Sequence, residues 1–208
     1  MALLANALGL STDIRGMHGP RARHVRDVFS LFDIETLWKK GMPLVDYILG
    51  AEPDGGVFAI GYCDNTYQKK MLRYYKMGEG PFYLFYRHYH LCHIEAMSSI
   101  AEACLYDKSL LKPLFGLRTN VFAYAKRNLL EGEKLDGIGG YACYGLIENC
   151  RPEGMPSGLP ICLAEDVTLR RDIAKDEKIL MSDVTYDPGR FDFEMYSKAL
   201  KLPSIATS

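Results

Sequence analysis

Apolar and polar positions follow two different rhythms along this chain. Residues 1 to 8 (MALLANAL) are apolar enough for the closing turns of a buried helix. Between His24 and Lys40, Val25, Val28, Phe29, Phe32 and Leu37 have a partly helical spacing. Gly55-Gly56 introduces Val57-Phe58-Ala59-Ile60, a short strand pattern, and Phe82 to Tyr86 reads as another after a Gly78 to Pro81 turn. Thr66 to Tyr75 suits a short helix. The clearest helix runs from His90 to Tyr106, where Leu91, Ile94, Met97, Ile100 or Ala101, and Cys104 or Leu105 share a face. From Val121 onward, short β-prone runs alternate with turns and little helical periodicity remains.

This second texture contains a repeat. Lys126-Arg-Asn-Leu-Leu-Glu-Gly-Glu-Lys-Leu135 aligns without a gap on Arg170-Arg-Asp-Ile-Ala-Lys-Asp-Glu-Lys-Ile179. The Arg151 to Pro160 loop lies between the copies, and a boundary falls near residues 116 to 120. Residues 191 to 200 suit a terminal helix.

Bulk properties exclude several classes. The 208 residues suit one large domain or two small ones, and 48% hydrophobic with 25% charged residues is ordinary for a globular protein. A formal charge of −1 gives no field for nucleic acid or an acidic membrane surface, despite the local run Arg15, Arg21, Arg23 and Arg26. No stretch has the length of a membrane span. The start lacks the basic region of a signal peptide. Six scattered cysteines without CxxC read as reduced thiols, and only in an exported protein would Cys150 and Cys162 be the first pair to suspect of bridging. A cytoplasmic protein is expected.

Two segments carry candidate chemistry. Asp13-Ile-Arg-Gly-Met-His-Gly-Pro20 is a glycine-punctuated loop in which Arg15 could hold an anion and Asp13 or His18 could move a proton; an ion-paired surface turn is the alternative. Phe82 to Glu95 (FYLFYRHYHLCHIE) sets Arg87, His88, His90, His93 and Glu95 among aromatic residues. If the helix begins near His90, that residue sits at its positive end and shares a face with His93. The H-x-x-H spacing could hold a metal, yet no third ligand is evident, so no metal is assigned. Arg87 in an apolar strand-to-helix corner must be paired or bind something, and Glu95 is its obvious internal partner. Gly137-Ile-Gly-Gly-Tyr-Ala142 matches a GxGxxA dinucleotide fingerprint, but a polar turn precedes it and a strand-like run follows, so a structural glycine cluster is expected.

Asn6 to Leu10, Asp13 to Pro20, Gly80 to Arg87, Tyr89 to Glu95 and Leu135 to Tyr141 together resemble the SAF-domain-containing NAD(P)-dependent oxidoreductases. That family includes 1-deoxy-D-xylulose 5-phosphate reductoisomerase-like enzymes and is related to homoserine dehydrogenase. The resemblance covers roughly residues 3 to 190. It implies an α+β protein: a mixed sheet-and-helix catalytic and oligomerisation domain at 1–118, a β-clip SAF domain at 119–190 and a helix and tail at 191–208. The family's Rossmann domain is expected to be absent, so NAD or NADP is not expected to bind tightly to this chain alone and a separate Rossmann-domain chain becomes a candidate partner. A divalent metal requirement is left open. The resemblance further implies a homo-oligomer that reduces, and in reductoisomerase-type members isomerises, a small phosphorylated or carboxylated carbonyl compound. Asp13, His18, His90 and Glu95 are then the catalytic candidates, and Arg15, Arg87 and Tyr89 the substrate-binding ones. At His88 the chain departs from the family pattern, where proline is usual, and His88 is left out. A non-enzymatic SAF-containing binding or assembly module is the alternative.

Overall fold

A computed structural model describes residues 1–89, 91–150 and 157–201 and has an α+β fold. In chain order its elements are α1 (Ala2–Leu8), α2 (Val28–Leu31), α3 (Ile34–Lys39), β1 (Val57–Tyr62), α4 (Thr66–Tyr74), β2 (Phe82–Arg87) and α5 (Cys92–Tyr106). There follow β3 (Thr119–Ala125), β4 (Lys134–Asp136), β5 (Cys143–Asn149), β6 (Glu165–Leu169), β7 (Val184–Thr185) and α6 (Phe191–Ala199). The chain divides into two compact units, and each is discontinuous in sequence. One comprises Met1–His18, Thr36–Asp46 and Leu111–Ser208; the other comprises Gly19–Glu35 and Tyr47–Leu110. The sequence suggested domains at 1–118, 119–190 and 191–208; in the first unit α1 and the 11–18 loop group with the C-terminal β elements.

The first unit is built on β3 and β5, which pair antiparallel from Thr119↔Asn149 to Ala125↔Cys143. β4, β6 and β7 form a second small antiparallel sheet. Ala123, Ala125, Leu129, Leu135, Leu159, Val167, Leu169, Ile173, Ile179 and Phe193 fill the core between them. Full burial of each large aliphatic side chain contributes about 1.5–3 kcal/mol. α1 is fastened to this scaffold through buried Asn6. Its Nδ2 donates to the Thr119 carbonyl (3.0 Å) and its Oδ1 accepts from the Thr119 amide (2.8 Å). Helix α1 then stops at Gly9, whose φ of 71° is left-handed. A side chain there would also press on the Phe115 ring.

The repeat is a structural duplication. Arg127 pairs with Glu133 in one arm, and Arg171 with Glu177 in the other. The two glutamates accept from the Leu130 and Ala174 amides, which hold corresponding turns. The arms also cap each other reciprocally: Asp172 accepts from the Glu131 amide and Asn128 from the Lys175 amide. Leu129 and Ile173 exchange backbone hydrogen bonds at the centre. Lys134↔Thr168 in one arm corresponds to Tyr124↔Lys178 in the other. One constant sequence offset relates every member of these pairs, so the arms are related by a local pseudo-twofold.

In the second unit β1 and β2 pair antiparallel, from Val57↔Arg87 to Tyr62↔Phe82. Its buried hydrophobic residues are Val25, Val28, Phe32 and Tyr83. The helical spacing in 24–40 is interrupted: a short 3-10 turn and α2 end at Phe32, whose extended backbone (φ −113°, ψ 137°) turns its ring inward before α3 begins. Asn65 caps α4 by accepting from the Tyr67 and Gln68 amides. The helix predicted over 90–106 is present as α5. It starts at Cys92 with Leu91 as its cap residue and ends at Asp107 in the left-handed conformation.

Candidate functional site

The 11–18 loop is held on the first unit's scaffold at several points. Asn149, at the end of β5, grips Thr12 by both backbone groups: its Oδ1 accepts from the Thr12 amide and its Nδ2 donates to the Thr12 carbonyl, each at 2.8 Å. The Gly16 amide donates to the Ile147 carbonyl (2.8 Å), where β5 needs close backbone approach. On its other side Ser11 bridges Leu44 in parallel fashion, which brings the 43–46 segment alongside.

Within that frame His18 lies between two carboxylates. Asp46 accepts from the His18 backbone amide (3.1 and 3.2 Å to its two oxygens) and lies 2.7 Å from ring Nδ1. A carboxylate on Nδ1 makes that nitrogen the proton-bearing one and leaves Nε2 to exchange a proton. Nε2 lies 3.4 Å from Asp13 Oδ2. Asp13 is in turn paired with Lys40. Asp13 and Asp46 are mostly shielded, with side chains 14% and 17% exposed, against 33% for His18. The carboxylates approach opposite nitrogens of one ring, so the three groups do not converge on a single ion. No cluster with metal-ligand geometry occurs among the described residues.

Arg15 takes part in a neighbouring network. Its guanidinium lies 5.2 Å from the Tyr124 ring centroid and donates to the Tyr124 hydroxyl (3.4 Å). Tyr124 donates to Glu148, which pairs with Lys178 at 3.0 Å. Burial, together with the bond to Glu148, pushes the Tyr124 hydroxyl up to about 12. The hydrogen bond that Arg15 donates to Tyr124, with the electrostatics of that hydroxyl, raises Arg15 above the ordinary guanidinium value. Arg15 therefore keeps a fixed positive charge and an exposed edge.

Arg87, Tyr89 and Glu95 belong to the second unit. Arg87 is not enclosed in an apolar corner: its side chain is 71% exposed and pairs with Glu95, the internal partner expected from the sequence. It is the exposed last residue of β2. Tyr89 is exposed with a left-handed φ of 45°. His93 is exposed in the first turn of α5, while His90 lies outside the described residues. A shallow depression lined by His24 and Gly50 to Asp54 includes none of the candidate residues.

Gly137 to Gly140 forms the turn between β4 and β5, and no helix follows it. The Asp136 carboxylate accepts from the Tyr141 and Ala142 amides and fills the space a side chain on Gly140 would need. These glycines are structural, so the residues do not fit a dinucleotide phosphate there. Lys40, Asp46, Tyr124, Glu148 and Lys178 are the groups that sequence reasoning missed. Only Lys178 carried a signal, as part of the repeated Glu-Lys pair.

Residues 1–96 match the family model for Oxidoreductase DRL, catalytic domain. The match takes in 96 of the 208 residues and includes Asp13, Arg15, His18, Lys40, Asp46, Arg87 and Glu95. It supports an oxidoreductase-like function, and it ends before the duplicated arms. No curated protein matches the chain. No helix among the described residues is long and apolar enough to cross a membrane.

Proposed function

We propose that the chain supplies the substrate-holding and proton-transfer part of an NAD(P)-dependent oxidoreductase acting on a small phosphorylated or carboxylated carbonyl compound. The observation that carries this reading is the His18 ring held between Asp46 and Asp13, with Lys40 beside it, in a segment that matches an oxidoreductase catalytic domain. Asp46 orients the imidazole, and Nε2 gives a proton to, or takes one from, the substrate oxygen. Lys40 and Arg15 supply positive charge for the substrate anion; the planar guanidinium suits bidentate contact with a carboxylate or phosphate. The Arg87–Glu95 pair has its charge met on an exposed surface, and we assign it an accessory role. A nicotinamide cofactor would be carried by a nucleotide-binding domain outside the described residues, and the duplicated arms would form the SAF-type module.

A ligand titration tests this without turnover. The His18 ring signals, assigned by comparison with His18→Gln, are followed by NMR while small 2-oxo acids and phosphorylated ketones are added. Saturable shifts at His18 are expected, with affinity falling at least tenfold in Arg15→Ala or Lys40→Ala. Unchanged affinity in both variants, or shifts that spare His18, refutes the assignment. The second reading, a non-enzymatic binding or assembly module, is favoured by the exposed apolar side of α5. It gains if Arg15→Ala and His18→Gln leave every ligand affinity unchanged while an oligomer persists.

A further inference from the structure

Arg15 is held differently from other arginines of its unit. Arg127, Arg171 and Arg190 each meet a carboxylate. Arg15 forms no ion pair among the described residues: its guanidinium lies over the Tyr124 ring and donates to the Tyr124 hydroxyl. Tyr124 is buried, and its hydroxyl proton is committed to Glu148. A hydroxyl carries one proton, so toward Arg15 the oxygen can only accept. Glu148 thus fixes which way this dipole points. The charge of Glu148 is met elsewhere: Lys178 Nζ lies 3.0 and 3.1 Å from its two oxygens and 4.0 Å from the centroid of the Phe122 ring. Burial and the bond to Glu148 keep the Tyr124 hydroxyl protonated at neutral pH, so a neutral group joins Arg15 to Glu148.

We propose that Glu148 and Lys178, acting through Tyr124, are positioning residues that hold Arg15 in place with its charge left for a bound anion. The inference rests on the functional reading above, in which Arg15 meets the substrate anion. The backbone brings the three groups together: Tyr124 lies opposite Lys178 in an antiparallel bridge, and Asn120, four residues before Tyr124 and so on the same face of β3, lies opposite Glu148. All three residues fall outside the 1–96 segment that matches the catalytic-domain family, so the anion site draws on the duplicated arms as well. Each member has a distinct task. Without the Tyr124 hydroxyl, the guanidinium keeps only the ring beneath it. Without Lys178, Glu148 is a shielded carboxylate, its side chain 13% exposed, whose unmet charge competes with the ligand for Arg15. With both present, the planar fork of Arg15 is oriented in advance and still carries a full positive charge, the state best suited to gripping a carboxylate or phosphate.

Side-chain NMR of the full chain tests this. The Arg15 Nε–H signal, assigned by its loss in Arg15→Lys, is followed while inorganic phosphate or acetate is added, with circular dichroism on each variant. In the wild type the Arg15 signal is expected to shift saturably, while that of Arg171, met by Asp183 and Glu177, stays in place. Tyr124→Phe keeps the ring and loses the hydroxyl, and affinity is expected to fall about fivefold, the worth of one hydrogen bond. Lys178→Met keeps apolar contact with Phe122 and leaves Glu148 unmatched, and is expected to weaken binding at least fivefold. Adding Glu148→Gln removes that unmatched charge and keeps an acceptor for Tyr124, so the double variant is expected to return to within twofold of wild type. A lysine that touched the anion itself would not be rescued in this way. A double variant as weak as Lys178→Met, or a folded Tyr124→Phe with wild-type affinity, overturns the proposal and leaves Arg15 as the anion group. A wild-type Arg15 signal that ignores both anions overturns the functional reading, and this inference with it. If Lys178→Met does not fold, Tyr124→Phe decides alone.

Discussion

Removing the side chain of Asn149 should loosen the candidate loop at its root. Asn149→Ala deletes two 2.8 Å hydrogen bonds to the backbone of Thr12, a residue only 2% exposed. The β-ladder pairing of residue 149 with Thr119 uses main-chain atoms and survives. Each lost bond costs about 1 kcal/mol, and more where the abandoned group stays shielded from water, so the total is about 2–3 kcal/mol. With a urea slope of about 2–3 kcal/mol/M, the midpoint falls by roughly 1 M. Urea unfolding followed by circular dichroism and by Trp38, the chain's single tryptophan, measures the global part. Hydrogen exchange at the Thr12 amide measures the local part and should accelerate. Asn149→Asp, which keeps the acceptor and loses the donor, should fall between the two. A midpoint within about 0.2 M of wild type, with Thr12 exchange unchanged, would show that the clamp does not hold the loop.

Three further outcomes follow from single groups. Backbone amides hold the Asp136 carboxyl below the ordinary carboxylate range, so it adds stability above the unfolded value of about 3.9 and loses that contribution as pH falls through its lower folded value; Asp136→Asn should make the urea midpoint fall less steeply between about pH 5 and pH 2, and an unchanged slope refutes the linkage. Burial pushes the Cys143 thiol up to about 11, whereas Cys92 and Cys104 are exposed, so a disulfide reagent at neutral pH should modify Cys92 and Cys104 in the native protein long before Cys143, as peptide mapping would read. Gly132 has a left-handed φ of 82° in open space, while Gly137 has φ 69° with the Glu165 side chain against it; Gly132→Ala should cost about 1 kcal/mol of backbone strain and Gly137→Ala distinctly more, in paired denaturation curves.

Much of the fold was legible because its signals are local. The 3.6-residue spacing marked α5, glycine and proline marked the turn before β2, and the repeated Arg-to-Glu spacing marked the two arms that the structure interlocks. The period did not report what covers the apolar stripe: amphipathicity says that a face wants burial, not that its own chain supplies it. The break at Phe32 was hidden because Val25, Val28 and Phe32 are buried at helical spacing although the helix stops between them. In the site, Asp13 and His18 could be read together from one loop. Asp46, 28 residues beyond His18, could not, since the parallel bridge between Ser11 and Leu44 that brings it in leaves no pattern in the residues themselves.

In the proposed site the duplicated arms carry none of the candidate acids or bases, and their part is to hold the loop. A proton-transfer group must be held to about 0.5 Å, which a loop achieves only when a rigid element fixes its supports. Here Asn149 and Ile147 of β5 take the loop backbone at Thr12 and Gly16, and Tyr124 of β3 takes Arg15 between them. Those two strands pair in full register, and the fully buried Ala123 and Ala125 of β3 anchor them in the core shared by both arms. The arms hold Arg15 and the 11–18 backbone in place, so a substitution deep in the core, such as Leu129→Ala at the pseudo-twofold centre, should cost about 2–5 kcal/mol in urea unfolding and speed hydrogen exchange at the Thr12 and Gly16 amides.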